Sequence, residues 1–240
     1  MSFRIPSSPR NRAPSHHNAS VLARSSRRRA PSGKRSRGSA DRAAEPFSPP
    51  EDWHEPAEKV SVGYRIIVQE PGDGYEHVVT PDEIRQRLDR LPAFMTEPLE
   101  VVQLSRMTRK KQRFPCYGMQ WGTALYLYPL ETGLVEYFTR PPKPNVITEA
   151  RMYGGRWKRD SAANIWRLIW TPETIRDFYL NNILIHELGH LLDERNTSYF
   201  DRERYAEWFA IEHGYKASRR KDLASQAAKK VVRRHHSKQA

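Results

Sequence analysis

"ILIHELGHLLDE", residues 183–194, sets two histidines and a glutamate, His186, Glu187 and His190, among isoleucines and leucines. Ile183, Leu184, Ile185, Leu188, Leu191 and Leu192 fall on nearly every side of a helix drawn through the stretch, so a buried helix is predicted. Ionisable groups inside such a helix are costly unless something compensates them. The spacing suggests what does. His186 and His190 are one turn apart on one face, so both imidazoles can reach a single metal ion. Glu187 lies about 100° round the helix, near enough to meet a water on that ion but badly placed to bind the ion beside both histidines. Gly189 removes a side chain next to these positions and lets a second element approach closely.

A zinc ion held this way needs a third protein ligand and keeps a fourth position open. The next helical pattern downstream, "DRERYAEWFAIEHGY" (201–215), offers Asp201, Glu203, Glu207, Glu212 and His213. On a helix, Ala206, Glu207, Ala210 and Ile211 share a face, and Glu203 sits at its upstream edge. Small alanines either side of Glu207 would let the two helices pack tightly. Glu207 is therefore the expected ligand, with Glu203 as the alternative or as a supporting group. Glu212 and His213 point away from that face, and Asp201 lies off it.

Upstream, the patterns alternate between strands and helices. "VSVGYRIIVQ" (60–69) and "LEVVQLSRM" read as strands. "TPDEIRQRLDRL" (80–91) reads as a helix with Thr80 as its N-cap, Pro81 at the first position, Glu83 closing a capping box, and Ile84, Leu88 and Leu91 as its apolar stripe. "GTALYLYPL" (122–130) alternates leucines with Tyr126 and Tyr128, stops at Pro129, and is expected to form a hairpin with "GLVEYFTR" across "LETG". "RMYGGRWKR" suggests a turn and "NIWRLIW" (164–170) a last strand. "TPETIRDFYL" opens a helix at Thr171 and Pro172 that runs, with a kink at Asn181-Asn182, into the histidine stretch. The second helix is expected to end near Gly214. The order is α+β, with a mixed or antiparallel sheet and two closing helices.

Charge divides the 240 residues into three parts. Residues 1–45 carry 11 basic and 2 acidic side chains, and residues 216–240 carry 9 and 1, which leaves 21 and 25 for the middle, a net −4 within a chain of +13. Residues 1–50, rich in Ser, Pro and Arg, have too few large apolar groups to offset the entropy of ordering and are expected to be disordered. A folded domain is expected over 51–215, and a basic tail over 216–240. The basic tails suggest weak contact with nucleic acid or another polyanion, without the interleaved aromatics that stack on bases. A single cysteine, Cys116, excludes an intrachain disulfide. No run of some 18 apolar residues predicts a membrane span, and the N-terminus has no apolar core of a secretory signal. The expected location is cytoplasmic.

"HELGH" followed by a helix of the form Ala-Glu-x-Phe-Ala resembles the gluzincins, and is most similar to the small ImmA/IrrE-like zinc peptidases. The resemblance covers residues 164–215. It implies a zincin-like domain, Zn2+ bound by His186, His190 and Glu207, and Glu187 as general base for a metallopeptidase acting on a peptide or protein substrate. The basic tails also suggest a SprT-like protease of DNA-bound proteins. Those enzymes use a third histidine, and His213, the nearby choice, points off the ligand face. In the implied mechanism Glu187 takes a proton from zinc-held water and passes it to the leaving amine. Tyr199, Tyr205 and His213 are candidates to steady the oxyanion. The substrate is expected to lie along a sheet edge, with "ALYLYPL" as that edge and Tyr126 and Tyr128 facing a groove. The alternative is a zincin-fold binding protein without turnover that holds a nucleic acid or a regulatory partner through its tails.

Overall fold

The structure, a computed structural model, describes residues 49–55, 63–113, 115–161 and 164–220. Most of both basic tails, and with them the expected disorder and polyanion contact, lie outside these residues. The fold is mixed α+β, as expected. Four strands, β1 (Arg65–Val68), β3 (Val101–Leu104), β4 (Gly118–Trp121) and β5 (Ala124–Leu127), form one sheet in the order β1-β3-β5-β4. The three pairings in that order run parallel, parallel and then antiparallel. Parallel neighbours need a crossover. Helix α1 (Pro81–Leu88) supplies the one between β1 and β3. It starts as expected, with Thr80 Oγ1 accepting from Glu83 N–H at 3.3 Å and Glu83 Oε2 from Thr80 N–H at 2.8 Å. Two short helices, α2 (Ala93–Thr96) and α3 (Arg109–Arg113), fill the connections on either side of β3.

The strand 60–69 is shorter than its pattern. β1 begins at Arg65, and residues 56–62 lie outside the described set. The hairpin across "LETG" does not form. The turn itself is there, with Leu134 N–H donating to Glu131 O at 2.9 Å. Yet the strand before it, β6 (Leu130–Glu131), pairs with β2 (Tyr75–Glu76), and the strand after it, β7 (Val135–Phe138), joins a separate antiparallel sheet in the order β7-β9-β8. There β8 is Arg156–Asp160 and β9 is Ile165–Ile169. A helix, α4 (Pro144–Met152), and β8 stand where the sequence suggested only a turn.

The period-two alternation of "ALYLYPL" is real, but both faces of β5 are covered. Leu125 and Leu127 enter the main core with Val102, Leu104, Phe178, Leu184 and Leu188. Tyr126 and Tyr128 enter a smaller core with Val101, Cys116, Met119 and Trp121. Residues 49–55 cross that second face. His54 stacks on Tyr126, its N–H donates to Tyr126 OH at 2.9 Å, and its Nε2 lies 2.7 Å from Gln103 Oε1. Tyr126 is 0% exposed and lines no groove. Nor is β5 an edge, because β3 and β4 flank it; β1 and β4 are the edge strands of this sheet.

Helix α5 (Pro172–Phe178), a π-helical turn (Tyr179–Ile183) and α6 (Leu184–Leu192) are continuous. The expected kink at Asn181-Asn182 is this π turn. After a loop come α7 (Tyr199–Phe209) and a second π turn (Ala210–Lys216), and the helix runs on to 220, past the expected limit at 215. Gly214 does not end it. A Cβ there would lie 1.9 Å from Asn181 O, so this glycine lets the second π turn pack directly on the first. No helix among the described residues is long and apolar enough to cross a membrane.

Candidate metal centre

Helix α6 carries His186 and His190 on one face, their Nε2 atoms 3.1 Å apart and their rings nearly perpendicular at 85°. Helix α7 is capped by Ser198, whose Oγ accepts from Asp201 N–H at 3.1 Å. This start fixes Glu203 one turn in, with Oε2 at 3.6 Å from His186 Nε2 and Oε1 at 3.4 Å from His190 Nε2. The three residues are buried, and no other such group of three candidate ligands occurs among the described residues. A tetrahedral ion with bonds of roughly 2.0–2.1 Å spaces its ligand atoms about 3.3 Å apart. The observed 3.1, 3.4 and 3.6 Å straddle that spacing. Glu203 Oε1 is buried and accepts no hydrogen bond, a state that a cation would relieve. The cluster is therefore able to hold a metal ion.

The third member is Glu203 and not Glu207. The inward face of α7 and the turn after it is Arg202, Glu203, Ala206, Phe209 and Ala210. Glu207 lies on the exposed side beside Trp208, itself 49% exposed. Ala206 is inward as expected, but the face extends from it towards Glu203 and Phe209. Gly189 has the role its position suggested. A Cβ on it would stand 3.0 Å from Phe209 Cβ and 3.1 Å from Ala206 Cα, so its absence lets α7 come close enough for Glu203 to reach both imidazoles.

Glu187 is 0% exposed and turns towards β4. Gly118 makes room for it, since a Cβ there would meet Ile183 Cγ2 at 2.7 Å and Glu187 Cγ and Oε1 at 2.9 Å. The sequence held no signal for this glycine beyond its place in "CYGMQW". Neither Glu187 oxygen has a hydrogen-bond partner in good geometry. Burial pushes its carboxyl up to about 8; His186, the Gln120 backbone and Lys111 act against the rise, and the Glu203 charge adds to it. Burial disfavours charge on both histidines. Glu203 overcomes this at His186, raised to about 9, while His190 stays low at about 4. Burial works to raise Glu203 too, but the two imidazoles outweigh it and hold its carboxyl at about 2.

Glu149, on α4, is a neighbour that the sequence did not reveal. It accepts a hydrogen bond from Asn182, one turn before His186, and its charge is felt together with those of His186, Glu203 and Glu207. Among the oxyanion candidates, Tyr199 lies within electrostatic range of Glu203; its hydroxyl is pushed up to about 12 by burial and by the Glu203 and Glu207 charges. Tyr205 packs on Trp208 and Phe209, and His213 stands against Phe209 at 4.4 Å, so neither is brought to the cluster. No family model, no curated protein and no solved structure matches the chain.

Proposed function

We propose that this chain is a zinc-dependent peptidase of the gluzincin kind, with a small zincin-like domain, its metal held by His186, His190 and Glu203 and its catalytic proton carried by Glu187. The observation that carries this reading is a fully buried carboxylate with no hydrogen-bond partner in good geometry, Glu187, on the helix that brings two of three candidate ligand atoms to metal spacing. A site built only to hold structure has no need of such a group. Two imidazoles and one carboxylate, with no thiolate, suit zinc and leave a coordination position open. Bound there, zinc would supply a Lewis acid that polarises a carbonyl and acidifies water.

The chain's own residues do the rest. Glu187, fully buried on the helix that carries both histidines, accepts a proton from the attacking water and returns it to the leaving amine. Gly118 fixes where that carboxylate stands. Tyr199 is our candidate donor to the developing oxyanion.

Zinc content and turnover of an unfolded protein substrate, measured on the wild type and on Glu187→Gln, test the reading. Stoichiometric zinc in both chains with turnover only in the wild type supports it. A wild type that neither retains nor takes up zinc overturns it. Zinc without turnover in the wild type would instead favour the binding protein that lacks catalysis.

A further inference from the structure

We propose that Arg202 is a positioning residue for the metal site, a buried clamp that fixes both ligand helices at their ligand residues; this rests on the metal reading above. The last carbonyls of a helix have no partners within it. At the end of α6 one side chain takes two carbonyls, of which His190 O also accepts from Asp193 N–H at 3.4 Å. Arg202 Nη2 donates to His190 O at 3.0 Å and Nη1 to Asp193 O at 2.9 Å. Arg202 is buried, and a cation at a helix C-terminus is favoured by the helix dipole.

What makes the clamp more than a cap is where its two ends fall. The acceptor is the backbone of His190, one ligand. The donor belongs to the residue immediately before Glu203, another ligand. A single guanidinium therefore sets the distance between the backbones that present them. The turn it spans is stiffened from within, because Asp193 Oδ1 accepts from Arg195 N–H at 3.3 Å, Asn196 N–H at 3.1 Å and the Asn196 side chain at 3.0 Å. The ligand atoms are 3.1–3.6 Å apart, so a shift of about 1 Å between the helices would spoil the site. Lysine has one ammonium and cannot reproduce the planar two-point contact.

The test uses the full chain as Arg202→Met and Arg202→Lys, with Arg87→Met as control. Arg87 is a similarly buried arginine that ties helices together away from the ligands, through Asn181 Oδ1 and His213 O. Zinc affinity is measured by competition with a chelator, and cobalt(II) bound in place of zinc reports ligand geometry through its visible absorption. Groups that support ligands typically contribute 10–100-fold to metal affinity. Both Arg202 variants are expected to lose about that much and to shift the cobalt band, while Arg87→Met loses stability with zinc affinity and cobalt spectrum unchanged. If Arg202→Met does not fold, Arg202→Lys, which keeps the buried cation, decides alone. Wild-type zinc affinity and an unshifted cobalt band in either folded Arg202 variant overturn the clamp while leaving the metal reading intact, as does an equal loss in Arg87→Met. A wild type that binds neither ion overturns both proposals.

Discussion

The two helices that make the candidate metal site differ in how much contrast they offer. In α6 every residue from Leu184 to His190 is buried, so the three ionisable residues stand out against an apolar background. Helix α7 has charged residues on both faces. Asp201, Arg204 and Glu207 are exposed, while Arg202 and Glu203 are buried. The same residue types thus stand in a buried candidate cluster and on a solvated surface within two turns. A polar residue identifies itself only where its surroundings are uniform. In a mixed helix, burial must be known before chemistry can be assigned.

The sharpest way to break this comparison is at Glu187. If the buried carboxylate of α6 is a general base, Glu187→Gln should retain zinc and lose about 10²–10⁴-fold in turnover of a cleavable protein. Unchanged turnover would make α6 a ligand helix only. The corresponding experiment on α7 is Glu203→Ala. Two neutral histidines alone hold zinc weakly, so occupancy after dialysis should fall to background. Zinc at about 100 times its Kd adds about 2.7 kcal/mol to the stability of a chain that binds it only when folded. Calorimetry should find that gain in the wild type and none in Glu203→Ala.

The pH dependence of zinc binding tests whether the Glu203 carboxylate holds a proton on His186 in the metal-free cluster. Zinc needs a neutral His186, and in the metal-free cluster this imidazole stays protonated up to about 9. Apparent zinc affinity should therefore rise about tenfold per pH unit between 6 and 8 and level off near 9. In the metal-free chain the sign is opposite. A raised histidine contributes stability below its ordinary value of 6.5 that is lost as the pH climbs through about 9. A flat zinc-affinity profile, measured by competition titration, would mean that His186 is not the proton's site.

Next come the glycines, which tell how much of the architecture was legible. Gly189 was readable because it interrupts an apolar helix that carries the two histidines. Gly118 and Gly214 were not, because the atoms they make room for are far away in the sequence: Ile183 and Glu187 for one, the Asn181 carbonyl for the other. The same division holds for the strands. The alternation in "ALYLYPL" fixed which residues of β5 share a face. It could not say that residues 49–55 cover the outer face, or that β7 leaves β6 to pair with β9. Capping at Thr80 and Thr171 was legible because caps are local. The choice of Glu203 over Glu207 was not, because it depends on Phe209 packing against Gly189. Gly214→Ala places a Cβ 1.9 Å from backbone and should destabilise by about 3 kcal/mol or more. Gly189→Ala, whose nearest contacts are 3.0 and 3.1 Å, should cost about 1–2 kcal/mol. Urea unfolding of the metal-free chains would show the order, and a reversal would mean that the two π turns do not touch as described.

The smallest effect is expected at Glu207, and that smallness carries information. It has the same chemistry as Glu203, one turn further along α7, with alanines at 206 and 210. Its side chain is exposed and belongs to no group that could hold a metal among the described residues. Exposed substitutions away from special features usually change stability by less than about 0.5 kcal/mol. Glu207→Ala should therefore keep wild-type zinc content and unfold within that margin, while Glu203→Ala loses its metal. Its charge is felt at Tyr199 and Glu149, so a modest change in KM for substrates carrying a cation is the most that its loss should bring. Metal analysis of the two purified variants side by side settles the register of α7. Zinc lost from Glu207→Ala and kept by Glu203→Ala would mean that the helix is rotated by about 40°, the angle between positions i and i+4, and that its inward face is the one the alanine pattern first suggested.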